Sequence, residues 1–444
     1  MTLSRRSLLK GTALAAISGL APLPGLGRLL FAAEPQNDRI LVVLHLRGGC
    51  DGLNLLSPAS DADFIAARNS DLRVLADGVD AGHLIVHVQD PTLEFRLHAT
   101  ARALAELSDA KHLAFVHAAG LLDATRSHFV ATDMIEHGVA DGASLNRTST
   151  GWLARAMDTL PGVGSVRGLS TSGAPSGVWA GDAGAISVAD LASGVGPPGG
   201  AQTGKVLEGL YGAAGNTLAA RGTLATGAAL AAGDASSPQA VVSAGRHTLE
   251  AMSAIDARLA RDARGKYVVY APLPGVNYDL AYELGRPLKT LAQLIKMDLG
   301  LQAATVDLGG WDTHEYQPGR FRNQVERLSQ GLGAFYNDMA RYHDRLVVVV
   351  VTEFGRRLRS NRSNGTDHGR GSVMMVLGGQ VAGGRIYGRW PGLKSEQLEE
   401  GVDLAVVNDY RQSLTEVIGH WRGSAHATGV FPGYQSTANL GLFA

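Results

Sequence analysis

Five short polar segments of this chain combine carboxylates, imidazoles, a hydroxyl and guanidinium groups with glycine. Asp51 follows Arg47-Gly48-Gly49-Cys50, and Arg126-Ser127-His128-Phe129 forms the second segment. Asp312 and His314 sit in Gly309-Gly310-Trp311-Asp312-Thr313-His314-Glu315, Glu353 and Arg356 in Thr352-Glu353-Phe354-Gly355-Arg356, and Asp367 and His368 in Asp367-His368-Gly369-Arg370-Gly371. Oxygen and imidazole donors together suit a divalent ion such as Zn, Mn, Mg or Ca. The candidate ligands are Asp51, Asp312, His314, Glu353, Asp367 and His368. The Asp312-x-His314 and Asp367-His368 spacings can each present two ligands from one loop. A serine at a helix start, as expected for Ser127, lies where free N–H groups and the helix dipole favour an anion or a nucleophile. An arginine fork matches phosphate or sulfate oxygens, which makes Arg126 and Arg356 candidate anion holders. His128 is a further candidate for substrate contact, and the flanking glycines permit close backbone approach.

Each residue also has a purely structural explanation. Asp51 would cap the next helix, and Ser127 would cap its own. Asp312 and His314 would be solvated loop residues, Glu353 would pair with Arg356 or Arg357, and Asp367-His368 would form a surface turn. His98 and His117, on or beside apolar runs, fit satisfied core histidines, and Cys50 fits a small buried residue. Co-location at one sheet edge is what argues against all of these explanations at once.

That edge follows from the apolar runs. Arg39–Leu46, Leu84–Val88, Leu113–His117, Ala303–Leu308, Arg345–Val351 and Val373–Leu377 are short and aliphatic, the pattern of buried strands. Helical spacing of apolar residues runs through Thr92–Leu107, Asp279–Leu299 and Phe321–Tyr342. Strands alternating with helices of this length predict an α/β fold, a doubly wound and mostly parallel sheet flanked by helices. In such sheets ligands sit outside the carboxyl ends of the strands, where most of the polar segments fall. Residues 192–263 are dense in Ala, Gly and Ser and predict a helical insertion or cap within a single domain spanning 34–444.

The chain has 444 residues, with 40 Lys plus Arg against 41 Asp plus Glu. That balance argues against nucleic acid as a partner. A single cysteine excludes internal disulfides and cysteine-based zinc clusters. Ser4-Arg5-Arg6-Ser7-Leu8-Leu9-Lys10, followed by a mildly apolar stretch to about Ala33, is similar to a twin-arginine (Tat) signal. Residues 1–33 are therefore expected to engage the Tat translocase and direct export to a periplasmic or extracellular location. No other run reaches the ~18 apolar residues of a membrane span, so the mature form is expected to have none.

Taken together in this order, the five motifs resemble the DUF1501 family, a bacterial family of unknown function whose members commonly carry Tat signals. That family is in turn similar to the alkaline phosphatase and sulfatase superfamily. This resemblance implies an alkaline phosphatase-like fold. It implies Ser127 as nucleophile, Asp51 at a second metal, and Asp312 with His314 at the first. One residue separates Asp312 from His314 where the superfamily pattern has three. Glu353, directly after the Val-rich strand, takes the place of an Asp-His pair, with His368 as a late ligand; alternatively Asp367-His368 is that pair. The former register is favoured and leaves a second metal short of a ligand. The expected function is an exported metal-dependent hydrolase of phosphate or sulfate esters, acting on a small-molecule or glycan ester with one or two ions. The rival expectation is a non-catalytic envelope binding protein on the same fold. An oxidoreductase fits less well, because the chain has no CxxC series and no dinucleotide fingerprint after a strand.

Overall fold

The computed structural model describes residues 38–158, 164–173, 176–182, 184–196, 200–219, 238–436 and 438–443. The proposed export signal and parts of the 192–263 insertion lie outside these residues.

Twelve strands among the described residues join in one sheet. In chain order they are β1 (Ile40–Leu46), β2 (Leu56–Pro58), β3 (His83–His87), β4 (Glu94–Leu97), β5 (Leu113–Gly120) and β6 (Gly168–Ser170). Then come β7 (Ala185–Ser187), β8 (Ala303–Leu308), β9 (Leu346–Thr352), β10 (Ser372–Gly378), β11 (Arg385–Tyr387) and β12 (Asn408–Asp409). The spatial order is β2-β4-β3-β11-β5-β10-β9-β1-β8-β6-β7, with β12 beside β5. Seven pairings are parallel and four antiparallel, so the sheet is mixed but mostly parallel.

The central strands are buried on both faces, which is why they read as continuous aliphatic runs. Side chains alternate across the sheet. Val42, Leu44, Val348 and Val350 share one core with Leu104, Leu288, Leu291, Phe321, Val325 and Leu328, from helices Arg102–Asp109, Gly285–Lys296 and Gln317–Asp338. Leu41, Val43, Val347 and Val349 share the opposite core with Met134, Ile135, Leu153, Leu414 and Trp421, from helices His128–His137, Trp152–Asp158 and Tyr410–Arg422. Helices cover both faces, as a doubly wound arrangement requires.

One predicted helix is corrected. Within Thr92–Leu107, residues Glu94–Leu97 form β4, and the helix begins only at Arg102. Phe95 and Leu97 are buried while Glu94 and Arg96 are only partly so, a period of two that pairs with both β2 and β3. The predicted Asp279–Leu299 helix is split: a 3-10 segment Tyr278–Leu284, with Tyr282 at φ 49, precedes the α-helix Gly285–Lys296. Within the mostly parallel sheet, strand β10 runs antiparallel to β5 and β9. This reversal has a direct consequence. It brings the residues just before β10 to the same edge as those just after β1, β8 and β9. The insertion contains helices Gly200–Ala219 and Pro238–Arg258, and Ala251 and Ile255 of the latter join the first core. No helix among the described residues is long and apolar enough to cross a membrane.

Candidate metal centre

The edge is built from backbone that only particular residues tolerate. Gly48, just past β1, has φ +119, and a Cβ there would lie 2.5 Å from the Asp312 amide nitrogen. The β1 turn and the β8 loop can therefore touch only through glycine. The Thr352 hydroxyl donates to the Leu46 carbonyl at 2.8 Å and accepts from the Cys50 amide at 3.0 Å, tying β9 to the same turn.

Four side chains from three segments meet above this turn. His128 is the first residue of helix His128–His137. Asp312 and His314 come from the loop after β8, and His368 from the loop before β10. Ligand atoms of His128, Asp312 and His368 all lie within 4.8 Å of one another. His368 Nε2 is 3.3 Å from Asp312 Oδ1, His314 Nε2 is 3.1 Å from the same oxygen, and His128 Nε2 is 3.6 Å from Asp312 Oδ2. His314 Nε2 also lies 2.9 Å from His368 Nε2. Phe354 packs its ring 4.8 Å from both His128 and His368 and helps fix their planes.

The far nitrogens determine what the near ones can do. His368 Nδ1 is 2.9 Å from the Arg126 carbonyl, which has no hydrogen to give, so Nδ1 must donate. His128 Nδ1 donates to Glu353 Oε1 at 2.8 Å, and His314 Nδ1 faces Asp367 Oδ1 at 3.3 Å. In a neutral imidazole that donates from Nδ1, Nε2 is an acceptor. Three lone pairs are then directed at a carboxylate, and the buried His128 Nε2 has no hydrogen-bond partner. Such a group is self-repelling unless a proton or a metal ion stands among its atoms. Outer acceptors on the far nitrogen are the arrangement that orients histidines for a metal. Three imidazoles and one carboxylate therefore fit a divalent ion.

The other candidates are placed differently. Glu353 is buried and turned away: its Oε1 accepts from the Gly48 amide as well as from His128, both at 2.8 Å, and its Oε2 lies 3.6 Å from His45 Nε2. Asp367 accepts from Asn361 at 3.1 Å and from His314. Asp51 is completely buried. Arg68 grips it through 2.5 and 3.0 Å bonds, Gln317 donates at 2.7 Å, and the Asn54 amide adds a helix-cap bond. Arg356 spends its guanidinium on the carbonyls of Gly48, Gly49, Trp311 and Thr366 and on Asp312 Oδ1. Arg126 is held by Asp403 and Glu400. Ser127 is exposed, and its hydroxyl makes no capping bond.

Charge follows these partners. The hydrogen bond to Glu353 raises the His128 pKa above its ordinary value, while burial and the nearby Arg356 lower that of His368. Burial alone would raise Glu353, but donation from His128 and His45 outweighs it and holds the carboxyl far below its usual range. Burial also works against the Asp312 carboxylate, and Arg356 more than offsets it, keeping the group ionised. Hydrogen bonding from Asn361 lowers Asp367.

Two roles escaped the sequence. His45, buried near the end of β1, touches Glu353, and its signal was an imidazole inside an otherwise aliphatic strand. His128 turns its Nε2 towards Asp312 within the cluster, a placement that its position after Ser127 did not reveal.

Fold and site together define an α/β protein carrying a histidine–carboxylate cluster at the carboxyl edge of its central strands. Residues 286–429 match the family model described as "Protein of unknown function (DUF1501)". That segment carries Asp312, His314, Glu353, Arg356, Asp367 and His368, whereas Asp51, Arg126, Ser127 and His128 precede it. No curated protein matches the chain.

Proposed function

We propose that this protein is an exported metal-dependent hydrolase of phosphate or sulfate esters, working with one ion rather than two. The observation that carries this reading is the set of three imidazoles, each tied at Nδ1 and each directing Nε2 at Asp312. His128, Asp312, His314 and His368 would hold the ion. When bound, it would polarise an ester oxygen and offset charge as the bond breaks.

The chain's own residues supply the rest. Ser127 presents an uncommitted hydroxyl beside His128, at the start of a ten-residue helix. Its oxygen attacks phosphorus or sulfur as the hydroxyl proton is lost, the bond to the ester oxygen breaks and the alcohol leaves with a proton, and water then hydrolyses the serine-bound phosphate or sulfate, restoring the serine hydroxyl. Free N–H groups at that helix end would favour an anionic group held beside Ser127. Arg126 and Arg356 act as scaffolding: Arg126 offers its carbonyl to His368, and Arg356 fixes Asp312. The resemblance to alkaline phosphatases and sulfatases implies Ser127 as nucleophile and Asp312, His314 and, late in the chain, His368 as ligands; Asp51 falls out of the ligand set because Arg68 takes it. The side chains of Asp312 and His314 are 48% and 39% exposed, so the centre is open enough for an ester on a glycan. The paired arginines Arg5 and Arg6 support export through the Tat translocase.

Turnover of aryl phosphates and aryl sulfates by the purified mature protein, with and without chelator, tests this reading. Activity should vanish with chelator and fall at least ~100-fold in Ser127→Ala. Full activity in that variant removes the nucleophile role. One observation favours a second reading, a non-catalytic envelope binding protein: both candidate anion-holding arginines are already occupied. A protein that retains its ion but is inert towards a broad ester panel would favour it.

A further inference from the structure

The short helix Gly52–Leu55 carries a buried polar group that its surroundings leave unused. Asn54 is only 3% exposed. Its backbone nitrogen is spent on Asp51, but among the described residues its side-chain amide makes no hydrogen bond. Buried polar groups normally have a partner. This one instead lines a cleft of about 430 Å³, within the size range of ligand pockets. His98 lines the same cleft, and its Nδ1 accepts from the Thr100 backbone at 3.3 Å. Burial, together with Arg322, lowers the pKa of this ring to about 4, so it is neutral and carries its hydrogen on Nε2. That donor has no partner among the described residues. Arg73 and Arg322 complete the donor set of the lining. Arg73 gives Nε to the Arg68 carbonyl at 2.8 Å, and neither arginine forms an ion pair among the described residues.

Asp71 and Asp80 share the cleft with the two arginines. A purely anionic group would meet those carboxylates, and a cationic group would meet the guanidiniums. Hydroxyls donate and accept at once, so they can satisfy both sets and the Asn54 amide as well. We propose that this cleft seats a hydroxyl-rich sugar residue of the glycan whose ester lies at the histidine–carboxylate centre, with Asn54, His98, Arg73 and Arg322 recognising its hydroxyls. The presence of an ester there rests on the hydrolase reading, whereas the sugar site rests on the cleft alone. Pro318, also in the lining, stands four residues past His314, a reach of at most ~14 Å. Asn364, in the loop that leads to Asp367 and His368, donates to Asp71 at 2.6 Å and so ties the centre to the cleft wall. Between the two on the chain lies Tyr316, 71% exposed and at φ 50, a backbone that a bulky residue adopts only under constraint. An exposed aromatic ring at that point offers the apolar face on which a sugar ring stacks.

A printed array of ester-free, singly esterified and multiply esterified oligosaccharides, probed with the purified protein, tests the inference. Isothermal titration then follows with the ester-free oligosaccharide that binds most strongly. Binding of at least one ester-free oligosaccharide is expected. Arg322→Ala, at an exposed position, and Asn54→Ala should each weaken it at least ~10-fold. His426→Gln, on the Ser424–Ala427 helix away from the cleft lining, should match the parent. Circular dichroism confirms that each variant is folded, and Arg322→Ala carries the test if Asn54→Ala does not fold. No binding of any oligosaccharide, or binding undiminished in the folded variants, overturns the inference. Binding confined to glycans with several sulfate or phosphate groups overturns recognition through hydroxyls. Turnover of aryl esters by a protein that binds no oligosaccharide overturns the sugar site and leaves the hydrolase reading standing. Oligosaccharide binding as described, without turnover of any ester, supports the sugar site and removes the hydrolase reading.

Discussion

Asp51 and Asp312 make a controlled comparison. Both follow a glycine-containing turn after a central strand of one sheet, and both are acidic residues where an α/β protein places its ligands. Asp51 is sealed: its side chain has no exposure, and Arg68, equally buried, neutralises it. Asp312 is half open, and apart from Arg356 its neighbours are three imidazoles that turn Nε2 towards it. The first carboxylate has every bond it needs. The second has a surplus of lone pairs around it. A buried acid with a guanidinium partner is architecture, whereas an open acid ringed by imidazoles is where the proposed ion would sit.

The largest expected effect lies at the sealed end. Arg68→Met leaves Asp51 buried without its counter-ion and should cost about 3–5 kcal/mol in chemical denaturation. Asp312→Asn should cost far less in the metal-free protein while abolishing ion binding. Equal stability losses at the two sites would break the comparison.

Ion binding is the next largest effect. Zn²⁺ at 100 times its Kd should raise the unfolding free energy by about 2.7 kcal/mol in the parent protein. The same addition to Asp312→Asn should leave the denaturation midpoint unchanged, while Arg68→Met, provided it folds, should still respond.

Histidines outside the centre sharpen the contrast further. His117 donates from Nε2 to the Leu56 carbonyl at 2.7 Å and accepts the Ala118 amide at Nδ1, so both nitrogens are satisfied. Burial, above all, lowers its pKa to about 4, and burial together with Arg322 does the same for His98. Between about 6.5 and 4 the unfolded chain holds protons that the folded chain does not, so stability must fall as pH drops through that window. The loss should be on the order of 1–3 kcal/mol per histidine. Urea midpoints at pH 7 and pH 4.5 would show it, and His117→Gln should flatten the slope.

The smallest stability effect is expected at Ser127. Its hydroxyl caps nothing, so Ser127→Ala should leave the denaturation midpoint within ~0.5 kcal/mol of the parent while removing ester turnover. A larger loss of stability would mark Ser127 as structural after all.

Much of the fold was legible in the sequence because buried parallel strands must be aliphatic throughout. The run Ala303–Leu308 coincides with β8, β1 differs from its run by one residue at one end, and β9 and β10 differ by one residue at each end. Strands β2, β6, β7, β11 and β12 span only two or three residues, too few for a period to show. Strand β4 was mistaken for helix because Leu93 and Leu97 are spaced as one turn, while the buried pair that matters is Phe95 and Leu97. For the site, Asp312, His314 and His368 were legible as neighbours because short polar loops at strand ends share an edge. His128 as a facing imidazole and Glu353 as its outer partner were not, because donor type and spacing carry no information about which way a ring turns.

Residue types and their order along the chain thus determined which groups could reach the edge: carboxylates and imidazoles in glycine-rich loops, on strands apolar enough to be central. Only the tertiary structure decided which of those groups were left over. Arg68 reaches Asp51 from seventeen residues away, Arg356 reaches across to Asp312, and β10 reverses direction to deliver His368. Each is a long-range pairing that satisfies one group or positions another, and a group's chemistry depends on what remains unsatisfied once all its partners are in place.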